Sequence, residues 1–246
     1  MENKSKRAVI MGATSGIGYE VARLLLTNGW TLGLAGRREE NLKKLQAETP
    51  ERVYIKAIDI KDSNADKLLL SLIDDMGGID MYFHSSGIGY QNAKLDANTE
   101  LNTLETNGTG FTRMIGTAFR YFREKGYGHI AVISSIAGTK GLGIAPAYSA
   151  TKRFQNTYID ALEQLSGMQK LNIRFTDIRP GFVATNLLND GKNYPMLMHT
   201  EKVARLIVKA LNRKKRVAVI DWKYSILVFF WKLIPRCIWK RMNVKN

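Results

Sequence analysis

The chain has 246 residues, 45% hydrophobic and 24% charged, a composition that excludes a disordered, collagen-like or small disulfide-stapled protein. Its one cysteine, Cys237, permits no internal disulfide and fits a reducing, cytoplasmic compartment, where it is expected as a buried inert thiol. The net charge of +15 is unevenly placed: residues 202–246 hold 13 Lys and Arg against one acidic residue, whereas residues 1–201 hold 24 basic and 21 acidic residues.

Short apolar runs alternate with longer amphipathic segments along the chain. Ala8–Met11 is predicted as a strand and Gly16–Asn28 as a helix. Thr31–Ala35 and Glu39–Ala47 form the next strand and helix, then Val53–Ile58 and Ser63–Met76. Asp80–His84 is a fourth strand, Leu104–Lys125 a long helix, His129–Ser134 a fifth strand and Tyr148–Gln164 another helix. A strand at Asn172–Ile178, a helix at Glu201–Leu211 and a strand at Arg216–Ile220 complete the body. This alternation implies βαβ units. The expected fold is α/β, a Rossmann-like doubly wound parallel sheet of about seven strands with helices on both faces and its ligand at the carboxyl ends of the strands. The parse is one domain, residues 1–221, plus a basic aromatic tail, residues 222–246. The first apolar stretch is short and soon broken by Gly12, unlike a secretory leader, and no run reaches the ~18 apolar residues of a spanning helix.

Between the first strand and first helix lies Gly12-Ala-Thr14-Ser15-Gly16-Ile17-Gly18. Glycines there permit a tight turn and let backbone approach a pyrophosphate, while the helix N-terminus offers free N–H groups. The second strand ends in Ala35-Gly36-Arg37-Arg38, with no carboxylate to hold a ribose 2′-hydroxyl. Two guanidinium groups suit a 2′-phosphate, Arg37 the better placed, so the cofactor read from these residues is NADP(H). Tyr148 and Lys152 stand four residues apart, on one helix face. An ammonium beside a phenol lowers its pKa, making Tyr148 a proton donor near neutral pH. Ser134 and Ser135 follow the fifth strand, where side chains enter the crevice.

In these motifs, in order and spacing, the chain resembles the short-chain dehydrogenase/reductase family, in its subfamily of roughly 250 residues, from about Arg7 to about Ile220. The resemblance makes Gly12, Gly16 and Gly18 the nucleotide turn and Asp59, beside Ile60, the adenine contact. It makes Asn107 the catalytic asparagine that holds a water against the lysine. Ser135, 13 residues before Tyr148, becomes the substrate-orienting serine, with Ser134 structural. Pro180-Gly181-Phe-Val183-Ala-Thr185 resembles the loop whose Val183 and Thr185 meet the nicotinamide. His84-Ser85-Ser86-Gly87 stands where the family has Asn-Asn-Ala-Gly: Gly87 is kept and both asparagines are gone. His84 is read as replacing a structural asparagine. The implied activity is hydride transfer between NADPH and a ketone or secondary alcohol, with Tyr148 as proton donor, Ser135 and Asn107 in support, and Lys152 lowering the tyrosine pKa. The implied assembly is a homodimer or homotetramer. No metal site is expected, since the three histidines show no ligand spacing.

Substrate contacts are expected from residues 139–146 and 186–199, the second rich in Leu187, Leu188, Tyr194, Met196, Leu197 and Met198, which suits a hydrophobic carbonyl compound such as a 3-keto sphingoid base, a steroid or a 3-oxoacyl chain. In the tail, Leu227, Phe230, Trp231, Ile234 and Ile238 recur at helical steps, with Lys232, Arg236 and Lys240 on another face and a kink at Pro235. Apolar and aromatic residues opposite cations describe a helix lying on an anionic membrane. That reading is taken ahead of packing on the body, and nucleic acid is not expected as a partner. The alternative to the enzyme is a non-catalytic NADPH-binding protein that docks on membranes.

Overall fold

The computed structural model describes residues 5–188 and 193–244. Seven parallel strands are found among these residues: β1 Arg7–Met11, β2 Thr31–Gly36, β3 Val53–Ala57, β4 Met81–His84, β5 Tyr127–Ile133, β6 Asn172–Arg179 and β7 Val217–Val219. They lie in the order β3-β2-β1-β4-β5-β6-β7. The helices are α1 Gly16–Thr27, α2 Glu39–Glu48, α3 Ala65–Asp75, α4 Ala97–Leu104, α5 Phe111–Lys125, α6 Pro146–Met168, α7 Thr200–Asn212, α8 Trp222–Leu233 and α9 Arg236–Trp239. The doubly wound architecture expected from the alternating pattern is therefore the observed one.

Successive side chains of a strand point to opposite faces, so each central strand feeds two cores. Ala8 and Ile10 of β1 pack with Val21, Leu25, Leu42, Leu45, Val203 and Ile207 on the face covered by α1, α2 and α7. Val9 and Met11 pack with Leu69, Leu72, Phe111, Ile115, Phe122 and Ile159 on the face of α3, α5 and α6. Burial on both faces explains why the central strands read as unbroken apolar runs. β1 pairs with β2 on one side and β4 on the other. The chain winds outward in opposite directions from this pair, which opens the crevice at the carboxyl ends of β1 and β4.

Most element ends differ from the expected ones by one or two residues. The largest correction concerns the helix expected to begin at Leu104. Helical structure begins at Ala97: Asp96 caps α4 by accepting from Thr99 N at 2.8 Å, and a π-helical turn, Glu105–Gly110, joins α4 to α5. Leu101 and Leu104 are exposed, so α4 carries no inward apolar stripe to signal it. Glu100 holds it instead, accepting from Ala147 N at 3.0 Å and from Asn92 Nδ2 at 2.9 Å. The first contact satisfies a free N–H of the first turn of α6. The predicted start of α6 at Tyr148 moves to Pro146, whose fixed φ suits a first helical position, and its end moves to Met168.

The tail is not detached from the body. α8 packs on β7 and on the 3-10 turn Ile136–Thr139. Tyr224 is buried, its hydroxyl accepting from Phe182 N at 3.0 Å and lying 3.1 Å from the carbonyls of Pro195 and Met196. Beyond Pro235, which breaks the helix as expected, Trp239 Nε1 donates to Gly141 O at 2.8 Å and Lys140 Nζ donates to Ile234 O at 2.8 Å. Cys237 is exposed, contrary to the buried thiol expected.

Candidate active site

The glycine-rich turn is shaped by what its glycines lack. Gly12 has φ +94°, and a Cβ there would lie 2.7 Å from Ser86 N. A Cβ on Gly18 would lie 2.2 Å from Gly12 O. Only glycines let β1, α1 and the segment after β4 approach this closely. No side chain caps the start of α1, so its first N–H groups remain available to an anion.

A cleft of about 790 Å³ opens from this turn. It is lined by Gly12, Thr14, Ser15, Gly16, Ile17, Arg37, Arg38, Asp59, Ile60, Gly87, Ser135, Tyr148, Lys152, Pro180, Gly181, Val183 and Thr185. Of the expected site residues, Gly18 and Asn107 lie behind this wall, both buried. Arg38 Nη2 donates to Thr14 Oγ1 at 3.0 Å and to Ser15 Oγ at 2.6 Å, tying the end of β2 to the glycine turn. Arg37 Nη1 stands 4.0 Å from Asp59 Oδ2. Hydroxyls, two guanidinium groups and a free helix start in one place form a donor set for phosphates, and the close-packed glycines leave room for a dinucleotide's pyrophosphate. The residues present thus fit a nicotinamide dinucleotide phosphate.

At the other end of the cleft, β5 delivers Ser135, and α6 delivers Tyr148 and Lys152. Ser135 Oγ accepts from Ala137 N at 3.1 Å. The Tyr148 ring sits against Gly89, where a Cβ would come 2.7 Å from it. Lys152 Nζ donates to Ile133 O and Gln155 Oε1, both at 3.1 Å. Asn107 lies in the π-helical turn, and such turns free a backbone carbonyl from the helical ladder. Its side chain is clasped by Ile88: Ile88 N donates to Oδ1 at 2.9 Å, and Nδ2 donates to Ile88 O at 2.7 Å.

Gln155, fully buried, donates from Nε2 to Asn107 O at 2.9 Å while accepting from Lys152. One side chain thus bridges the two groups that the resemblance links. The same resemblance has Lys152 lower the pKa of Tyr148. In the described structure burial pushes the Tyr148 phenol above its ordinary value, against an opposing hydrogen bond with Ser135. The ammonium is aimed at Ile133 O and Gln155, 5.7 Å from the centre of the tyrosine ring, so desolvation prevails. A raised phenol is protonated at neutral pH, as a proton donor must be. Burial pushes Lys152 down to about 8, with Asp177 pulling it upward.

His84 is buried, 3.0 Å from the Tyr82 hydroxyl through Nδ1. Burial, then the charge of Lys152, pushes it down to about 3. It is a neutral imidazole at the strand end, without the imidazolium proton a general acid would give. Behind the site lies a polar network that sequence reasoning did not find. Asp177, with no exposed surface, accepts from Ser134 Oγ, from Asn156 Nδ2 at 2.9 Å and from Arg179 Nε and Nη2 at 2.8 and 2.6 Å. It links β6 to the residue before Ser135 and to α6 one turn past Lys152. Of the expected substrate segment 186–199, residues 189–192 lie outside the described residues. Leu187, Leu188, Tyr194 and Met196 line the cleft, and the tail joins them through Tyr224, Leu227, Trp231 and Val244.

Comparison with known proteins agrees with this geometry. A family model described as short chain dehydrogenase matches residues 6–193. An uncharacterized oxidoreductase of Mycobacterium tuberculosis is 31% identical over 244 residues, covering 94% of this chain and 95% of its own. Two solved structures share the fold. ElxO with NADP bound has a TM-score of 0.78 at 21% identity, covering 90% of this chain and 99% of its own. A variant of actinorhodin polyketide ketoreductase with NADPH has a TM-score of 0.75 at 23% identity, covering 87% and 95%.

Proposed function

The chain belongs to the short-chain dehydrogenase family of oxidoreductases, and from that premise we propose that it is an NADPH-dependent carbonyl reductase acting on a hydrophobic ketone. The observation that carries this reading is the convergence of Ser135, Tyr148 and Lys152 on one end of a cleft whose other end is the Gly12 turn with Arg37 and Arg38. An unbroken set of this kind favours an enzyme over a non-catalytic NADPH-binding protein.

NADPH bound along the cleft would supply the hydride. The chain's own residues do the rest. Tyr148 holds its proton at the cleft surface and gives it to the carbonyl oxygen as negative charge develops there. Ser135 Oγ, fixed by Ala137 N, orients the same oxygen and stabilises that charge. Lys152, ionised at neutral pH with a pKa of about 8, stabilises the tyrosinate left behind. Gln155 holds Lys152 at one end and Asn107 O at the other, and so keeps the ammonium in place. Ile144, Phe182, Leu188, Met196, Leu227 and Trp231 give the substrate end an apolar wall. A steroid, 3-keto sphingoid base or 3-oxoacyl chain fits such a wall. We place this activity in the cytoplasm, with the tail at a membrane surface, in a homo-oligomer paired through α5 and α6.

A panel of such ketones tests the reading: at least one should consume NADPH, and silence across the panel would overturn it. The cofactor assignment has its own test. A charge-assisted hydrogen bond contributes about 1.5–3 kcal/mol, so Arg37→Ala should weaken NADPH binding by about 10- to 100-fold and leave NADH binding unchanged. Equal weakening of both cofactors would remove Arg37 from 2′-phosphate recognition.

A further inference from the structure

We propose that the outward face of α8, continued by α9, seats on an anionic lipid bilayer. α8 is apolar on both sides. At 3.6 residues per turn, Tyr224, Leu227, Val228 and Trp231 share one side and Trp222, Ile226, Phe229, Phe230 and Leu233 the other. The first side faces the body: Tyr224 and Val228 are buried, and Leu227 and Trp231 line the cleft. The second is bare. Trp222 is 67% exposed, Phe229 60%, Phe230 58% and Leu233 63%. The apolar stripe expected from the sequence, with Leu227, Phe230 and Trp231 together, is thereby corrected, because Leu227 and Trp231 point inward and Phe230 outward.

Five large apolar side chains in one contiguous stripe mark an interaction surface. The charges choose the partner. The same helical geometry puts Lys223 on one flank of the stripe and Lys232 on the other. Arg236, Lys240 and Arg241 follow, exposed, with exposed Ile238 and Met242 among them. Residues 222–246 contain no acidic side chain. Rings facing outward with cations on both flanks match a bilayer, where rings enter below the headgroups and long basic side chains reach the phosphates. A second copy of this face would set cation against cation. No helix among the described residues is long and apolar enough to cross a membrane, so the association lies in the surface plane. The helix that docks is also a wall of the cleft, which brings the substrate end to the lipid. Entry of a lipid-soluble ketone by that route rests on the reductase reading; the docking does not.

Sedimentation of the full chain with vesicles of phosphatidylglycerol and phosphatidylcholine in equal parts tests the docking without any substrate. The wild type should bind these vesicles, bind pure phosphatidylcholine far less, and lose binding as salt rises. The Phe229→Glu/Phe230→Glu variant should lose at least about tenfold in vesicle affinity, and Lys232→Glu about fivefold or more, each with unchanged circular dichroism and NADPH binding. Equal binding to both vesicle types, or no binding, would overturn the proposal. So would a Phe229→Glu/Phe230→Glu variant that binds vesicles like the wild type but turns a dimer into a monomer, which would make this face a self-association surface. Preference for RNA over the vesicles would overturn it as well. Vesicle binding with no reduction of any ketone would overturn the reductase reading alone.

Discussion

Tyr148→Phe should lower the turnover number by about 10²–10⁴-fold, the usual worth of a positioned proton donor, while NADPH binding persists. The substitution keeps the ring that packs against Gly89, so α6 and the cleft wall stay in place and only the hydroxyl is lost. Ser135 loses one partner but keeps Ala137 N. Steady-state kinetics with the best ketone, paired with a fluorescence titration of NADPH, checks both halves. Turnover like the wild type would remove Tyr148 from the proton-donor role. A parallel loss of NADPH affinity would mean that the phenol mainly shapes the cofactor site.

Asp177→Ala should cost about 3–5 kcal/mol of stability, because it leaves the Arg179 guanidinium, most of it buried, without its counter-charge. Asn156 Nδ2 and Ser134 Oγ lose an acceptor in the same step. Urea unfolding should show a lower midpoint with an unchanged slope. The loss also reaches the site. Asp177 is the charge that pulls Lys152 upward against burial, so its removal should move the Lys152 pKa further below about 8. A midpoint within a few tenths molar of wild type would show that the network carries little of the fold.

The sheet was legible in the sequence because its strands are buried on both faces and separated by helices with one apolar stripe. The Gly12 turn was legible because its residues answer a steric demand made by a few neighbouring atoms. α4 was not, since Leu101 and Leu104 face outward and the helix is held by Asp96 and Glu100. Gln155 and Asp177 were hidden for a different reason. A polar residue three positions after Lys152, or inside a strand, acquires meaning only when distant elements meet it, as the π-helical turn at Asn107 meets Gln155 and as Ser134 and Asn156 meet Asp177. The spacing of Tyr148 and Lys152 was readable, but burial, which sets the direction of the Tyr148 shift, is a property of the folded chain. The tail shows the same division. Its helical period was visible, yet with apolar residues on both sides only packing tells which side meets the body.

The central claim is that this cleft delivers hydride to a carbonyl carbon and a proton from Tyr148 to its oxygen. NADPH deuterated at nicotinamide C4, incubated with the full chain and a panel of steroid, sphingoid and 3-oxoacyl ketones, tests it most directly. Mass spectrometry should find one deuterium on the carbinol carbon of the product with the wild type, and product forming about 10²–10⁴-fold more slowly with Tyr148→Phe. Bound NADPH that passes deuterium to no member of the panel, or passes it equally well in the variant, would contradict the account.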